Sequence, residues 1–386
     1  MTDAYKSRGV SSTKEDVHAA VAAIDKGLFP GAFCKITPDI SGDPAYYSIM
    51  HTDDAGTKSI LAYIAYRESG DPSVFAGIAQ DSMVMNLDDM LCVGATDKFI
   101  FSNTIGRNAH RVGGDAVAAL IKGYADFSAK MRQYGVNIIM SGGETSDTGD
   151  IVATIFVDST FFARVKSSSI IDASKIRPGD VIIALASAGK ATYETGYNSG
   201  IGSNGLTAAR HLLLDKYYSV KYPESYSDTI AAENIYSGKF RMTDNLPESR
   251  VTVGEALLSP TRTYAPVIRR VLELHADDVR GIIHCTGGGQ VKCKNFGTGL
   301  HFIKDNFFPI PPVFKAIYDS GQISMREMFS VFNMGHRMEI YANENRAMSI
   351  VSIAESFGVG ARIVGRVETA ESNKVTILHD GEKYEY

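Results

Sequence analysis

The sequence predicts an α/β chain of α+β character, organised as a two-domain subunit in which each domain packs a mixed sheet with helices. Three observations predict this. Apolar runs of strand length alternate with stretches of helical period along the chain. Its 386 residues exceed one small core, given about 100 to 200 residues per domain. A serine-rich, turn-forming segment falls between two such alternating halves.

In the first half, AYYSIMH (45–51), KFIFSNTI (98–105), VNIIMS (136–141) and IVATIFVDSTFF (151–162) read as strands. SILAYIAYR, after Lys58, reads as a helix. Over 75–94, Met83, Leu87, Met90, Leu91 and Gly94 share one arc at helical spacing, so Asp81 and Asp88 are expected to point away and Asp89 to sit at the stripe's edge. A second amphipathic helix over 114–134 repeats Val117, Leu120, Ile121 and Tyr124. The serine run and the SKIRPGD cluster between Arg164 and Asp180 mark the boundary, giving domains 1–168 and 176–386. Beyond it come the strand VIIALAS (181–187) and helices over 206–214, 253–258 and 264–274. The strand GIIHC then leads into TGGG (286–289), followed by a helix over 343–357 and strands over 362–367 and 374–378. The tyrosine-rich stretch 215–250 has too few periodic apolar positions for a core layer and reads as a surface insertion or partner-contacting arm.

With 44% apolar and 22% charged residues, 36 glycines and 12 prolines, the composition is that of an ordered globular protein. A formal charge of −5 without any Lys/Arg-rich run lacks the footprint of a nucleic-acid binder, so an anion must be held locally. Cys34, Cys92, Cys285 and Cys293 form no C-x-x-C pair and read as free thiols. No apolar run is long enough to span a bilayer, and MTDAYKSRGV lacks a signal peptide's apolar core, so the expected location is a reducing cytoplasm.

Chemistry concentrates in TDDAGTK (52–58), LDDM (87–90) and SGGETSD (141–147). These contain Asp53, Lys58, Asp89 and Glu144, with Thr52, Gly56, Thr57, Gly142, Gly143 and Thr145 around them. Carboxylates are the hard oxygen ligands that Mg2+ prefers, usually one or two of them beside phosphate oxygens. Phosphoryl transfer asks a protein mainly to position groups and spread charge, for which acids, a lysine and bare glycine amides are the parts. The set predicts a Mg2+–ATP site. No G-x-x-x-x-G-K-[ST] run is present, so the lysine must come from another geometry. Lys58, at a strand-to-helix handover, is the candidate; an ordinary solvated lysine is the alternative. Adjacent Asp88 and Asp89 repel mid-helix unless a cation relieves them, with a surface position equally open for Asp88. Glu144 follows a strand and two glycines, where a sharp turn can present a carboxylate and amides to one ligand.

GIGSNG (200–205) satisfies G-x-G-x-x-G and opens a helix, yet KATYETGYNS separates it from the preceding strand, which argues against a dinucleotide turn. Such a loop still suits an anion, because free backbone N–H groups point outward at a helix start; a flexible surface loop is the alternative. TGGG reads as a tight turn or a phosphate loop. His284 and His336 lack a histidine three or four residues away and read as core or polar-surface residues.

Taken in order, YKSRGV (5–10), FPGAFCKI (29–36), TDDAGTK, LDDMLCVGA (87–95), GGETSD (142–147), GSNG (202–205), LLSPTRTY (257–264), TGGG and MFSVFNMG (328–335) resemble the aminoimidazole ribonucleotide synthetase family, also called phosphoribosylformylglycinamidine cyclo-ligase. TDxxGTK, the acidic helix and the glycine loops recur in its wider superfamily of formylglycinamidine synthetase, selenophosphate synthetase and thiamine-monophosphate kinase; LLSPTR, TGGG and FNMG favour the cyclo-ligase. The resemblance implies a homodimer joined through the N-terminal domains and ATP-dependent closure of an imidazole ring on a small phosphoribosyl substrate in purine biosynthesis. It implies that Asp53 and Asp89 hold Mg2+, that Lys58 contacts ATP phosphates and that Glu144 completes the metal or phosphate shell. Ser203, Asn204, Gly205, Arg262, Gly287, Gly288 and Gly289 would line the substrate side, with Asn333 and Gly335 positioning the closing end.

The chain departs from that family at Asp54, where glycine is common, at Asp88, where asparagine is, and at Gly202, where histidine precedes SNG. After TGGG, the usual Glu-Asn and Pro-Arg give way to QVKCKNFGTG, so an anion contact re-sourced to Lys292 and Lys294 is an expectation. The departures keep two alternatives open: another ATP-dependent kinase or synthetase of the superfamily, and a non-catalytic nucleotide-binding paralogue.

Overall fold

Strict alternation of buried Ile155, Val157, Ser159, Phe161, Ala163 and Val165 with more exposed neighbours makes one face of a half-buried sheet. In the computed structural model, which describes residues 4–11, 20 and 23–386, that segment is the third strand of a five-stranded sheet. Its strands are β1 (Ile36–Pro38), β2 (Tyr46–Asp54), β3 (Phe99–Arg107), β4 (Ile138–Asp147) and β5 (Ile155–Lys166), in the order β1-β2-β5-β3-β4. Only the β3–β4 pair is parallel. Met1–Asp3 of the MTDAYKSRGV segment lie outside the described residues.

The second sheet takes β6 (Asp180–Ala186), β7 (Val279–His284), β8 (Leu300–Lys304), β9 (His336–Asn343), β10 (Ala361–Thr369), β11 (Lys374–His379) and β12 (Glu382–Glu385). Its order is β12-β11-β8-β10-β6-β9-β7. Every residue of β6 is buried, as the unbroken run DVIIALA requires of an inner strand. β9 was not legible as a strand because Arg337 and Glu339 interrupt its apolar run; both are buried and paired inside the protein. Among the described residues no helix is long and apolar enough to cross a membrane.

Helices α1 (Lys58–Ser69), α2 (Phe75–Leu91) and α3 (Gly114–Arg132) cover one face of the first sheet. Later come α4 (Leu206–Leu213), α5 (Tyr217–Lys221), α6 (Val253–Leu258), α7 (Ala265–His275), α8 (Pro312–Tyr318), α9 (Met325–Val331) and α10 (Glu344–Ser356). α2 corrects the one-sided reading of its sequence. It packs on β2, β5 and α3 and also on α7 and β7, so Asp81 and Asp88 are fully buried and Asp89 nearly so. Buried polar groups need partners, and these carboxylates reach Lys58, Arg337 and His284 respectively, the last two tying α2 to the second sheet.

Two further expectations are corrected. SGGETSD is not a turn: it is the second half of β4, paired along β3 with Thr104 opposite Glu144. The 215–250 stretch is clasped rather than loose, because tyrosines supply its buried contacts. Tyr218, Tyr222 and Tyr236 are buried, Arg8 donates to the Asn234 carbonyl, and Glu68 of α1 accepts from Tyr222. Counting periodic aliphatic positions misses a layer built from amphipathic rings.

Candidate active site

β2 runs out at Asp54 and turns through Gly56 into α1, and this turn forms one wall of a cavity of about 950 Å³. Asp53, Asp54, Gly56 and Thr57 come from that turn, and Met85 and Asp89 from α2. Ser203, Asn204 and Gly205 come from the glycine loop before α4, and Thr286, Gly287 and Gly288 from the turn after β7. Lys292, Lys294, Arg326 and Tyr386 complete it. Two of these walls require glycine. Gly205 has φ +79°, and a Cβ there would fall 2.4 Å from the Phe332 ring. At Gly289, with φ +52°, it would fall 2.6 Å from the Phe329 carbonyl oxygen, so the TGGG turn can sit this close to α9 only without side chains.

Carboxylates crowd one side of the cavity. His284 Nδ1 lies 2.6 Å from Asp89 Oδ1, and His51 Nε2 lies 3.4 Å from Asp89 Oδ2. Burial opposes ionisation of Asp89, but the His284 hydrogen bond and the charges of His284, Lys292 and His51 outweigh it and hold the acid at about 2. Burial pushes His284 down to about 4, so the ring is neutral near pH 7 and donates Nδ1–H to an ionised Asp89. Asp53 moves the other way, to about 6, through burial first and the Asp89 charge second. Burial and a neighbouring carboxylate both disfavour the charged form of an acid.

The cavity gathers Asp53, Gly56, Thr57, Asp89, Ser203, Asn204, Gly205, Gly287 and Gly288 of the residues singled out in the sequence. The others lie elsewhere. Lys58 is fully buried, with Nζ 2.9 Å from Asp81 and donating to the carbonyls of Gly202 at 3.2 Å and Ser259 at 2.5 Å. Its place at a strand-to-helix handover was legible, but the interior acid that claims it was not. Thr52 points away, its hydroxyl donating to the Ser159 carbonyl. Arg262 is spent on Glu194 and on the carbonyls of Ala186 and Ala188. Asn333 stands behind the glycine loop, donating to the Gly200 carbonyl at 2.8 Å and accepting from Ser187 and Gly335. Gly289 and Gly335 are likewise behind the wall.

Gly142, Gly143, Glu144 and Thr145 lie exposed on the edge strand β4. Register sets Glu144 opposite Thr104, Thr104 opposite Asp158, and Asp158 opposite Asp54. Three strand spacings separate Glu144 from Asp54, roughly 14 Å at about 4.8 Å each. Within one subunit, then, Asp53 and Asp89 line the cavity together and Glu144 stands apart from them. Among the described residues the one compact trio of metal-capable groups is Cys285, His336 and Glu339, where Lys304 already sits 2.5 Å from Glu339.

Sequence reasoning missed His51 and His284 as partners of Asp89; nothing in their local sequence points to it. Thr286, Arg326 and Tyr386 were also missed. Asn204 Oδ1 is buried in the wall with no hydrogen-bond partner among the described residues.

A two-sheet α/β subunit with paired carboxylates facing two glycine turns defines a class, and the chain belongs to the AIR synthase related protein family. The N-terminal domain model of that family matches residues 36–165 and the C-terminal domain model residues 177–378. The phosphoribosylformylglycinamidine cyclo-ligase of Methanococcus vannielii is 29% identical, over 98% of this chain and 98% of its own. That of Pyrococcus furiosus is 31% identical, over 82% of this chain and 79% of its own. Among solved structures, T. maritima PurL complexed with FGAR shares the fold with a TM-score of 0.58 at 16% identity. The match covers 97% of this chain and 49% of that one, so the chain spans about half the PurL length.

Proposed function

We propose that this protein is an ATP-dependent cyclo-ligase acting in the cytoplasm, closing the imidazole ring of aminoimidazole ribonucleotide from formylglycinamidine ribonucleotide. The carrying observation is the convergence of Asp53 and Asp89 with the Ser203–Gly205 and Thr286–Gly288 turns in one cavity. Near-full-length relatives named for that activity support the choice of reaction.

The donor set fits Mg2+: two hard carboxylates, one of them raised by burial and by the charge of the other, with room for phosphate oxygens. Asp53 and Asp89 would hold the ion, and magnesium when bound supplies charge neutralisation of the phosphates. His284 keeps Asp89 ionised and fixes its rotamer. Gly56, Thr57, Gly287 and Gly288 present backbone groups along the cavity, and Ser203, Asn204 and Gly205 line the opposite side.

An amide oxygen leaves poorly. In the proposed reaction the γ-phosphoryl group of ATP passes to the formyl oxygen of the substrate, releasing ADP. The substrate's own amine then attacks the formyl carbon, the C–O bond breaks, inorganic phosphate departs and one proton is lost as the ring becomes aromatic. Both steps demand alignment of groups the substrates already carry, which a rigid cavity supplies without a nucleophilic side chain.

The proposed subunit pairs through its first sheet, with 1–168 as the nucleotide-binding and dimerising domain and 176–386 as the domain of the substrate loops. Met50, Phe162, Ile100 and Ile139 sit opposite one another in neighbouring strands, a cross-strand apolar row on the face that no helix among the described residues covers. Met50 is 70% and Ile139 60% exposed, which a partner would relieve. Glu144 lies on the same face, so a role for it at the metal or phosphate shell rests on the partner subunit. Incubating the protein with formylglycinamidine ribonucleotide, ATP and Mg2+ tests the reading: aminoimidazole ribonucleotide and ADP should form in equal amounts, and ADP release indifferent to that substrate would count against it.

A further inference from the structure

With Lys58 locked inside the protein, the cavity needs another cation, and the short helix after the glycine turn carries two, Lys292 and the more exposed Lys294. Lys292 lines the cavity half-buried, its ammonium 3.0 Å from the Thr286 hydroxyl and 4.5 Å from the centre of the Phe33 ring. Among the described residues no carboxylate lies within 4.0 Å of it, whereas the buried Lys58 and Lys304 each have one. Its charge nevertheless reaches Asp89, which lines the same cavity, and His284 behind it. An ammonium has three donors; one meets Thr286, and the aromatic face beneath fixes the side chain without consuming the others. The adjacent Gly287 carries no side chain, and a Cβ there would meet nothing within 4 Å, so the turn is open toward the cavity.

Resting on the phosphoryl-transfer reading of this site, we propose that Lys292 is the residue that binds the phosphate of a ligand against the Thr286–Gly288 turn, in the part the sequence assigned to Lys58. The ligand is a phosphate ester or anhydride, from either the nucleotide or the phosphoribosyl substrate. A charge-assisted hydrogen bond contributes about 1.5 to 3 kcal/mol, roughly ten- to a hundredfold in affinity.

The test is calorimetric titration of wild type, Lys292→Met and Lys292→Arg with Mg2+–ADP in one arm and ribose 5-phosphate in the other, with thermal melts to confirm folding. Lys292→Met should weaken at least one ligand about tenfold or more, the affected arm naming the source of the phosphate, and Lys292→Arg should restore most of that loss. Equal affinities of wild type and Lys292→Met in both arms would overturn the proposal. These titrations need no turnover, so a wild-type protein that binds phosphate through Lys292 but forms no aminoimidazole ribonucleotide would sink the assigned reaction alone.

Discussion

His284, the last residue of β7, donates its Nδ1–H to Oδ1 of Asp89 across 2.6 Å, so one sheet orients a carboxylate on the helix that packs against the other. Burial keeps the ring neutral near pH 7 against the pull of this bond, and the bond holds the acid charged. Partners of this kind orient a ligating group and raise its affinity for the cation.

His284→Ala is therefore expected to raise the Mg2+ concentration needed for half-maximal turnover by roughly ten- to a hundredfold, the usual cost of removing an outer partner of a metal ligand. Asp89→Asn should raise it further. A Mg2+ titration unchanged in both variants would remove Asp89 from the proposed metal site.

Lys58→Met should act on stability. The change leaves the buried Asp81 carboxylate only its Thr261 donors, and removing one half of an interior ion pair costs about 3 to 5 kcal/mol. Denaturant midpoints would show it, and adding Asp81→Leu should recover part of the loss. A Lys58→Met protein as stable as wild type, with weakened ATP binding, would return Lys58 to the phosphates.

The sequence made most of the strands and helices legible because their apolar periods were clean: β2, β3, β5, β6, α2, α3 and α6 fall within a few residues of the expected ranges. It failed where charge is buried. Arg337 and Glu339 hid β9, and the acids of α2 looked solvated because a one-sided stripe is indistinguishable from a helix enclosed on both sides. The candidate site was legible in its Asp53, Asp89, Ser203–Gly205 and Gly287–Gly288 parts. It was not legible where tertiary pairing decides: Asp81 is 23 residues from Lys58, and Glu194 is 68 from Arg262.

His211 gives a pH dependence away from the cavity. Burial, then the neighbouring Arg210, pushes its ring from an ordinary 6.5 to about 2, and Nδ1 accepts the Tyr236 backbone N–H. The folded state binds this proton less readily than the unfolded one, so its stabilising contribution is present above about 6.5 and is lost as pH falls below that value. Between pH 7 and 5 the group should cost about 2 kcal/mol. The fall in unfolding free energy over that range should be smaller by this amount in His211→Asn than in wild type; identical slopes would contradict the assignment.

Charge placed in the open apolar row should dissociate the proposed dimer. Ile139→Asp is expected to run as a monomer by light scattering, with its far-ultraviolet circular dichroism retained because the side chain is 60% exposed. If Glu144 of the partner subunit serves the site, turnover falls with the dimer. A monomeric wild-type protein with full activity would contradict that role.

The most direct test of the central claim follows one oxygen atom. Formylglycinamidine ribonucleotide labelled with heavy oxygen in the formyl group should, on complete turnover with ATP and Mg2+, deliver that label to the released inorganic phosphate in a ratio of about one to one with ADP. Phosphate carrying only solvent or ATP oxygen, with the label found in water, would contradict phosphorylation of the formyl oxygen in this cavity.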